Sequence, residues 1–141
     1  MGRRLVLASL GCAAVLAVAG CGGTKKHGTN VYSRGPVISC LRDHNFTVST
    51  ALKDVNFIAW SAPGGGLRAW ENRTHHKVDL ILAFGHSVAD ARQTMKAVRR
   101  YALRPPIFRY RLIRANVVIM WAYRPSKANK KLLLDCLNRS V

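Results

Sequence analysis

Lys77-Val78-Asp79-Leu80-Ile81-Leu82-Ala83-Phe84 is the stretch on which the fold turns. Val78, Leu80, Leu82 and Phe84 alternate onto one side of an extended chain, and Ile81 and Ala83 make the other side mostly apolar too. A strand that avoids water on both sides belongs in the middle of a sheet. Just downstream, Ser87 stands where a helix N-cap would, with Asp90 three positions on as a carboxylate near the first-turn amides. Val88, Ala91, Met95, Val98 and Ala102 then recur at steps of three and four, while Arg92, Lys96, Arg99 and Arg100 lie largely off that stripe. Residues 87–101 therefore predict an amphipathic helix with a basic outer side.

Pro105-Pro106 blocks that helix, after which residues 107–114 and 117–124 alternate as the two strands of a hairpin about Ala115-Asn116. Pro125-Ser126 opens a last helix, on which Leu132, Leu133, Cys136 and Leu137 share a side. Working back from the central strand, residues 67–73 predict its hairpin partner across Thr74-His75-His76, and Ala62-Pro63-Gly64-Gly65-Gly66 reads as a mobile turn. Residues 46–52 and 55–60 are expected to add strands. Pro36 suits the opening of a short helix ending near Asn45, with Val37, Cys40, Leu41 and His44 on one side. Helix, two to four strands, helix, hairpin, helix, without regular β-α alternation, predicts an α+β fold. The form expected is a small two-layer sandwich, a mainly antiparallel sheet with helices on one face, and residues 36–141 suffice for a single domain.

The amino terminus has a different character. Arg3-Arg4 precede an uncharged stretch, residues 5–18, apolar apart from Ser9 and Gly11 and too short for the roughly 20 residues that cross a hydrocarbon core. It reads as a secretory signal that closes on Val18-Ala19-Gly20-Cys21. Those four residues resemble the lipobox of bacterial lipoproteins, a likeness confined to residues 1–21. The resemblance implies thioether diacylation of Cys21, cleavage after Gly20 and acylation of the new amino terminus. Two or more acyl chains give stable anchoring where one does not. Residues 1–20 are thus expected to be a signal peptide and residues 21–35 a lipidated cysteine with a flexible tether. The domain that follows would sit at the cell membrane, facing away from the cytoplasm.

On that reading Cys12 leaves with the signal and Cys21 carries lipid, so Cys40 and Cys136 remain. A pair of cysteines in an exported domain favours a disulfide over a metal site needing four ligands. Of 23 Lys and Arg and six Asp and Glu, only Arg3 and Arg4 precede Cys21, leaving 21 bases against six acids and a net +15. Charge so far from zero draws anions at low ionic strength. Outside the cytoplasm these are lipid head groups, cell-wall polymers and shed nucleic acid.

Chemistry has few footholds. His75-His76 lies near Glu71 and Asp79, but adjacent histidines on a strand point to opposite sides and no third ligand follows, so a solvated turn is expected. Gly85-His86-Ser87-Val88-Ala89 lacks the second glycine of a nucleophile elbow. Gly64-Gly65-Gly66 lacks the Gly-Lys-Ser or Gly-Lys-Thr that makes a phosphate loop. The basic hairpin is the better candidate. Phe108, Tyr110 and Leu112 share one side of its first strand and Arg109 and Arg111 the other, while Trp121 and Tyr123 share a side of the second. With the aromatic side in the core, the arginines would form an outward anion-binding row that Arg114 and Arg124 extend, their guanidinium forks matching phosphate. Arg92, Lys96, Arg99 and Arg100 supply a second basic surface. The expectation is a membrane-anchored lipoprotein whose basic exported domain is a binding or envelope-interaction module, without catalytic residue, metal or cofactor. Its partners would be anionic head groups or wall polymers, or a protein the sequence does not name. The alternatives are an extracellular nucleic-acid-binding protein and a small hydrolase using His75 and His76.

Overall fold

The computed structural model describes residues 31–73, 76–101 and 110–141. The expectations on the signal peptide, on Cys21, on His75 and the His76 side chain, on Pro105-Pro106 and on Phe108 and Arg109 lie outside what is described.

Four antiparallel pairings join five strands into one sheet. Its order is β1 (Thr47–Ser49), β2 (Gly66–Arg73), β3 (His76–Phe84), β5 (Val117–Trp121) and β4 (Tyr110–Arg114). The strand with two apolar sides is the central one, as its pattern requires. All five residues of β5 are buried. On one face Leu67, Val78, Leu80, Leu82, Phe84, Val117, Ile119 and Trp121 pack against α1 (Arg34–Asp43) and α4 (Lys127–Asn138). The two helices contribute Val37, Leu41, Leu133 and Leu137 to that core. Cys40 and Cys136 are bonded to each other between them, Cα atoms 5.5 Å apart and 96 residues distant in sequence.

The α+β sandwich with an antiparallel sheet and one disulfide is therefore the observed architecture, with one correction. Helices cover both faces. On the second face Ile81, Ala83, Val118 and Met120 pack against Ala59 of α2 (Phe57–Trp60) and Ala91, Met95 and Val98 of α3 (Val88–Tyr101). The cause is already present in β3 and β5: alternate residues of both strands are apolar, so neither side of the sheet centre tolerates water.

Three local expectations also change. Within residues 55–60 the chain forms the short helix Phe57–Trp60 rather than a strand: Asn56 caps it by accepting from the Ile58 amide at 2.9 Å. Helical spacing puts Val55, Ala59 and Ala62 into the core while Phe57 and Trp60 stay exposed and stacked on each other. β1 is only three residues long, because the Ser49 hydroxyl turns to bond Asp54 at 2.6 Å and accepts from the Ala51 amide, bending the chain away. Gly64-Gly65-Gly66 is a built crossing: Gly64 donates to the Phe84 carbonyl at 2.7 Å, Gly65 has φ +76°, and a Cβ at Gly66 would meet the Ala59 carbonyl.

The domain also starts before Pro36. Tyr32 is buried, its amide donating to Asn116 Oδ1 at 2.7 Å and its carbonyl accepting from Asn116 Nδ2 at 3.0 Å. The same Nδ2 donates to the Gly85 carbonyl at 2.7 Å. Asn116 thus ties together the entering chain, the end of β3 and the β4–β5 turn, where Ala115 is held at φ +47°. No helix among the described residues is long and apolar enough to cross a membrane.

Candidate anion-binding surface

α3 is built to show charge outward. The Ser87 and His86 amides donate to Asp90 Oδ2 at 3.0 and 2.9 Å, and the Asp90 amide donates to Ser87 Oγ at 3.1 Å. This reciprocal cap satisfies the His86, Ser87 and Asp90 amides and uses the Ser87 hydroxyl as the acceptor of a helix cap. Ala91, Thr94, Met95 and Val98 are then buried on the sheet, and Arg92, Lys96, Arg99 and Arg100 are exposed. Arg100 lies over the Tyr101 ring, 5.3 Å from its centroid. None of these four cations is ion-paired among the described residues.

Carboxylates are few and largely occupied within the fold. Asp79 accepts both arms of Arg68, from Nε at 2.9 Å and Nη2 at 2.7 Å. That hydrogen-bonded partner raises the Arg68 guanidinium above its ordinary range, against the opposing effect of partial burial. Arg68 is also stacked over Trp70. Asp54 is taken by Ser49 and Asp90 by the α3 cap. With half of the six acids so committed, most surface bases have no internal counter-charge.

The hairpin distributes its arginines differently from a single row. Arg111 lies opposite Met120, on the sheet face that carries α3, and is exposed. Arg114, three positions on, falls on the other face. Its Nε donates to the Tyr32 hydroxyl at 2.9 Å and its Nη2 to Asn138 Oδ1 at 3.3 Å, so it is engaged in holding the entering chain against α4. Arg124 is exposed beyond the end of β5. The aromatic side is core in part: Trp121 is 3% exposed and Tyr110 half-buried, but Leu112, on the edge strand, is 44% exposed and Tyr123 50%.

One feature is formed by segments that no local pattern connects. Between β4, the end of β5 and the beginning of α4 lies a cleft of about 410 Å³ whose lining includes Tyr110, Leu112, Trp121, Arg111, Arg124 and Lys130. Lys130 sits on the last helix, and nothing in its spacing connects it to residue 111. A smaller cleft of about 220 Å³ separates α2 from α3 and includes Asp90, already spent on the cap. The one grouping of three metal-ligating side chains among the described residues is Cys40, His44 and Cys136, whose two sulfurs are bonded to each other.

No protein-family model, curated protein or solved structure matches the chain.

Proposed function

We propose that the chain is a membrane-anchored lipoprotein, held through lipid on Cys21, whose basic domain is a non-catalytic module for anionic head groups or wall polymers outside the cytoplasm. The observation that carries the binding part is the outer side of α3, where Arg92, Lys96, Arg99 and Arg100 are all exposed and none is ion-paired among the described residues. A tether keeps that surface within reach of the anionic membrane. There each basic side chain contributes about 1 kcal/mol, over a Debye length of about 8 Å at physiological salt. Burial of Trp121 removes one hairpin ring from use by the nucleic-acid alternative, but Tyr101 under Arg100 and Tyr123 next to Arg124 are exposed, so this alternative stands as the second reading, tested by adding single-stranded DNA to the same binding comparison. Use of Ser87 as a helix cap weighs against a nucleophile there.

Two measurements test the two halves. Intact-mass analysis of the processed chain should find Cys21 at the amino terminus with acyl chains attached, and Cys21→Ser should abolish both cleavage and lipid; an unacylated wild-type chain refutes the anchor. The full chain in non-ionic detergent should bind micelles doped with phosphatidylglycerol, more weakly as salt rises. Changing Arg92, Lys96, Arg99 and Arg100 together to Gln should weaken this at least tenfold. Binding that ignores both salt and the substitutions refutes the basic surface.

A further inference from the structure

The geometry points to the cleft between β4, the end of β5 and the beginning of α4 as a phosphomonoester-binding site, with Arg124 and Lys130 holding the phosphate and Tyr110, Leu112 and Trp121 receiving the body that carries it. This rests on the anion-binding reading given above for its class of ligand, but on other side chains than those of α3.

Four observations converge. Arg124 and Lys130 come from two segments, the β5–α4 connection and α4, and the tertiary fold alone brings them to one concavity of about 410 Å³, whereas the Arg111 side chain leaves β4 on the opposite face of the sheet. That volume lies within the usual range of small-ligand pockets, roughly 300–1,000 Å³. No carboxylate lines the cleft, and neither Arg124 nor Lys130 is ion-paired among the described residues.

The start of α4 sharpens the point. A helix N-terminus carries positive potential and ordinarily attracts acidic residues, as α3 does with Asp90. The first turn of α4 has no acidic residue, and Lys127 and Lys130 stand there instead. Cations placed against a positive helix end oppose stability, an arrangement that an anion bound alongside would relieve.

The fourth observation is in the wall. Trp121 is 3% exposed and lines the cleft, and its Nε1 is the only buried side-chain nitrogen or oxygen without a hydrogen-bond partner among the described residues. A buried donor without an acceptor is costly and uncommon. The ring borders a cationic cleft with the nitrogen itself closed to solvent, so a ligand oxygen would serve it only once the indole turned toward the cleft. Two cations facing one anion suit a group of one to two negative charges, and a phosphomonoester near neutral pH has between one and two. The Arg124 guanidinium fork adds a bidentate match to its oxygens. The apolar part of the lining leaves room for the alcohol that bears it.

The test uses the full chain in non-ionic detergent at physiological salt, with glycerol 3-phosphate, inorganic phosphate and micelles containing phosphatidic acid as probes. Calorimetry and tryptophan emission should report saturable binding of glycerol 3-phosphate or of phosphatidic acid, whichever binds tighter revealing whether a free or a lipid-borne phosphate is the source. Arg124→Gln with Lys130→Gln should weaken that binding at least tenfold, and Trp121→Phe should remove the emission change. The fourfold Gln variant of α3 should bind glycerol 3-phosphate within twofold of wild type even as it loses phosphatidylglycerol micelles, which separates this site from the α3 surface. Arg124 and Lys130 are exposed, and an unchanged melting temperature will confirm that the double variant folds. Absence of saturable binding to every probe, or equal binding by wild type and the Arg124/Lys130 variant, overturns the proposal.

Discussion

The two faces of the sheet are covered by unlike layers. Under α1 and α4 the core is bulky, with Tyr32, Leu41, Leu80, Leu82, Phe84, Ile119, Trp121 and Leu137 all buried. It is closed by the Cys40–Cys136 bond and by Asn116, which pins the entering chain. Under α2 and α3 the buried residues are mainly small or flexible: Ala59, Ala62, Ala83, Ala91, Val55, Val98, Met95 and Met120. No covalent link crosses that layer among the described residues. The difference teaches where the molecule keeps its stability. The face with the disulfide and the large side chains holds the fold, and the lighter face can give the outer side of α3 to four cations that do nothing for packing.

Breaking the covalent closure should have the largest effect. Cys40→Ser with Cys136→Ser reopens a loop of 96 residues, and the chain-entropy model puts the loss at about 4 to 5 kcal/mol. Urea unfolding under oxidising conditions measures it, and an unchanged midpoint would mean that the heavy face does not depend on its bond. Next comes a matched pair of cavities. Leu137→Ala under α4 and Met95→Ala under α3 each remove a large buried side chain, and such substitutions cost about 2 to 5 kcal/mol. Leu137 is fully buried among large neighbours and should fall near the top of that range, with Met95 near the bottom; the reverse order in denaturant midpoints would overturn the comparison. The smallest effect expected is that of the α3 cap. Asp90→Ala removes the acceptor of two amide hydrogen bonds and should cost about 1 kcal/mol, read as a downward shift in melting temperature.

How much of this was legible can be followed residue by residue. β3, α3, the hairpin about Ala115-Asn116 and α4 follow from periods of 2 and 3.6, because long one-sided or two-sided patterns leave little choice of structure. Residues 55–60 were not legible in the same way. Val55, Phe57 and Ala59 alternate like a strand, yet Val55 and Ala59 are also four apart, and the Asn56 cap decided for the helix. Tyr32 was hidden in a stretch rich in Gly and polar residues, because its partner Asn116 is 84 residues away. Within the candidate surface, the exposure of Arg92, Lys96, Arg99 and Arg100 could be read from α3 alone. The diversion of Arg114 to Tyr32 and Asn138 could not, since both partners are remote in sequence.

By itself, then, the sequence determined the central strand, the amphipathic basic helix, the hairpin, the capped last helix and the pairing of its two domain cysteines. Those features depend on local periodicity, on capping chemistry and on simple counting. Only the tertiary structure decided that helices cover both faces, that Tyr32 belongs to the core, and that Arg124 and Lys130 border one cleft with Trp121 in its wall. The physical reason is common to all three. A side chain's periodicity says which way it faces within its own element, whereas a cleft or a core contact forms between elements, set by how whole faces pack against one another.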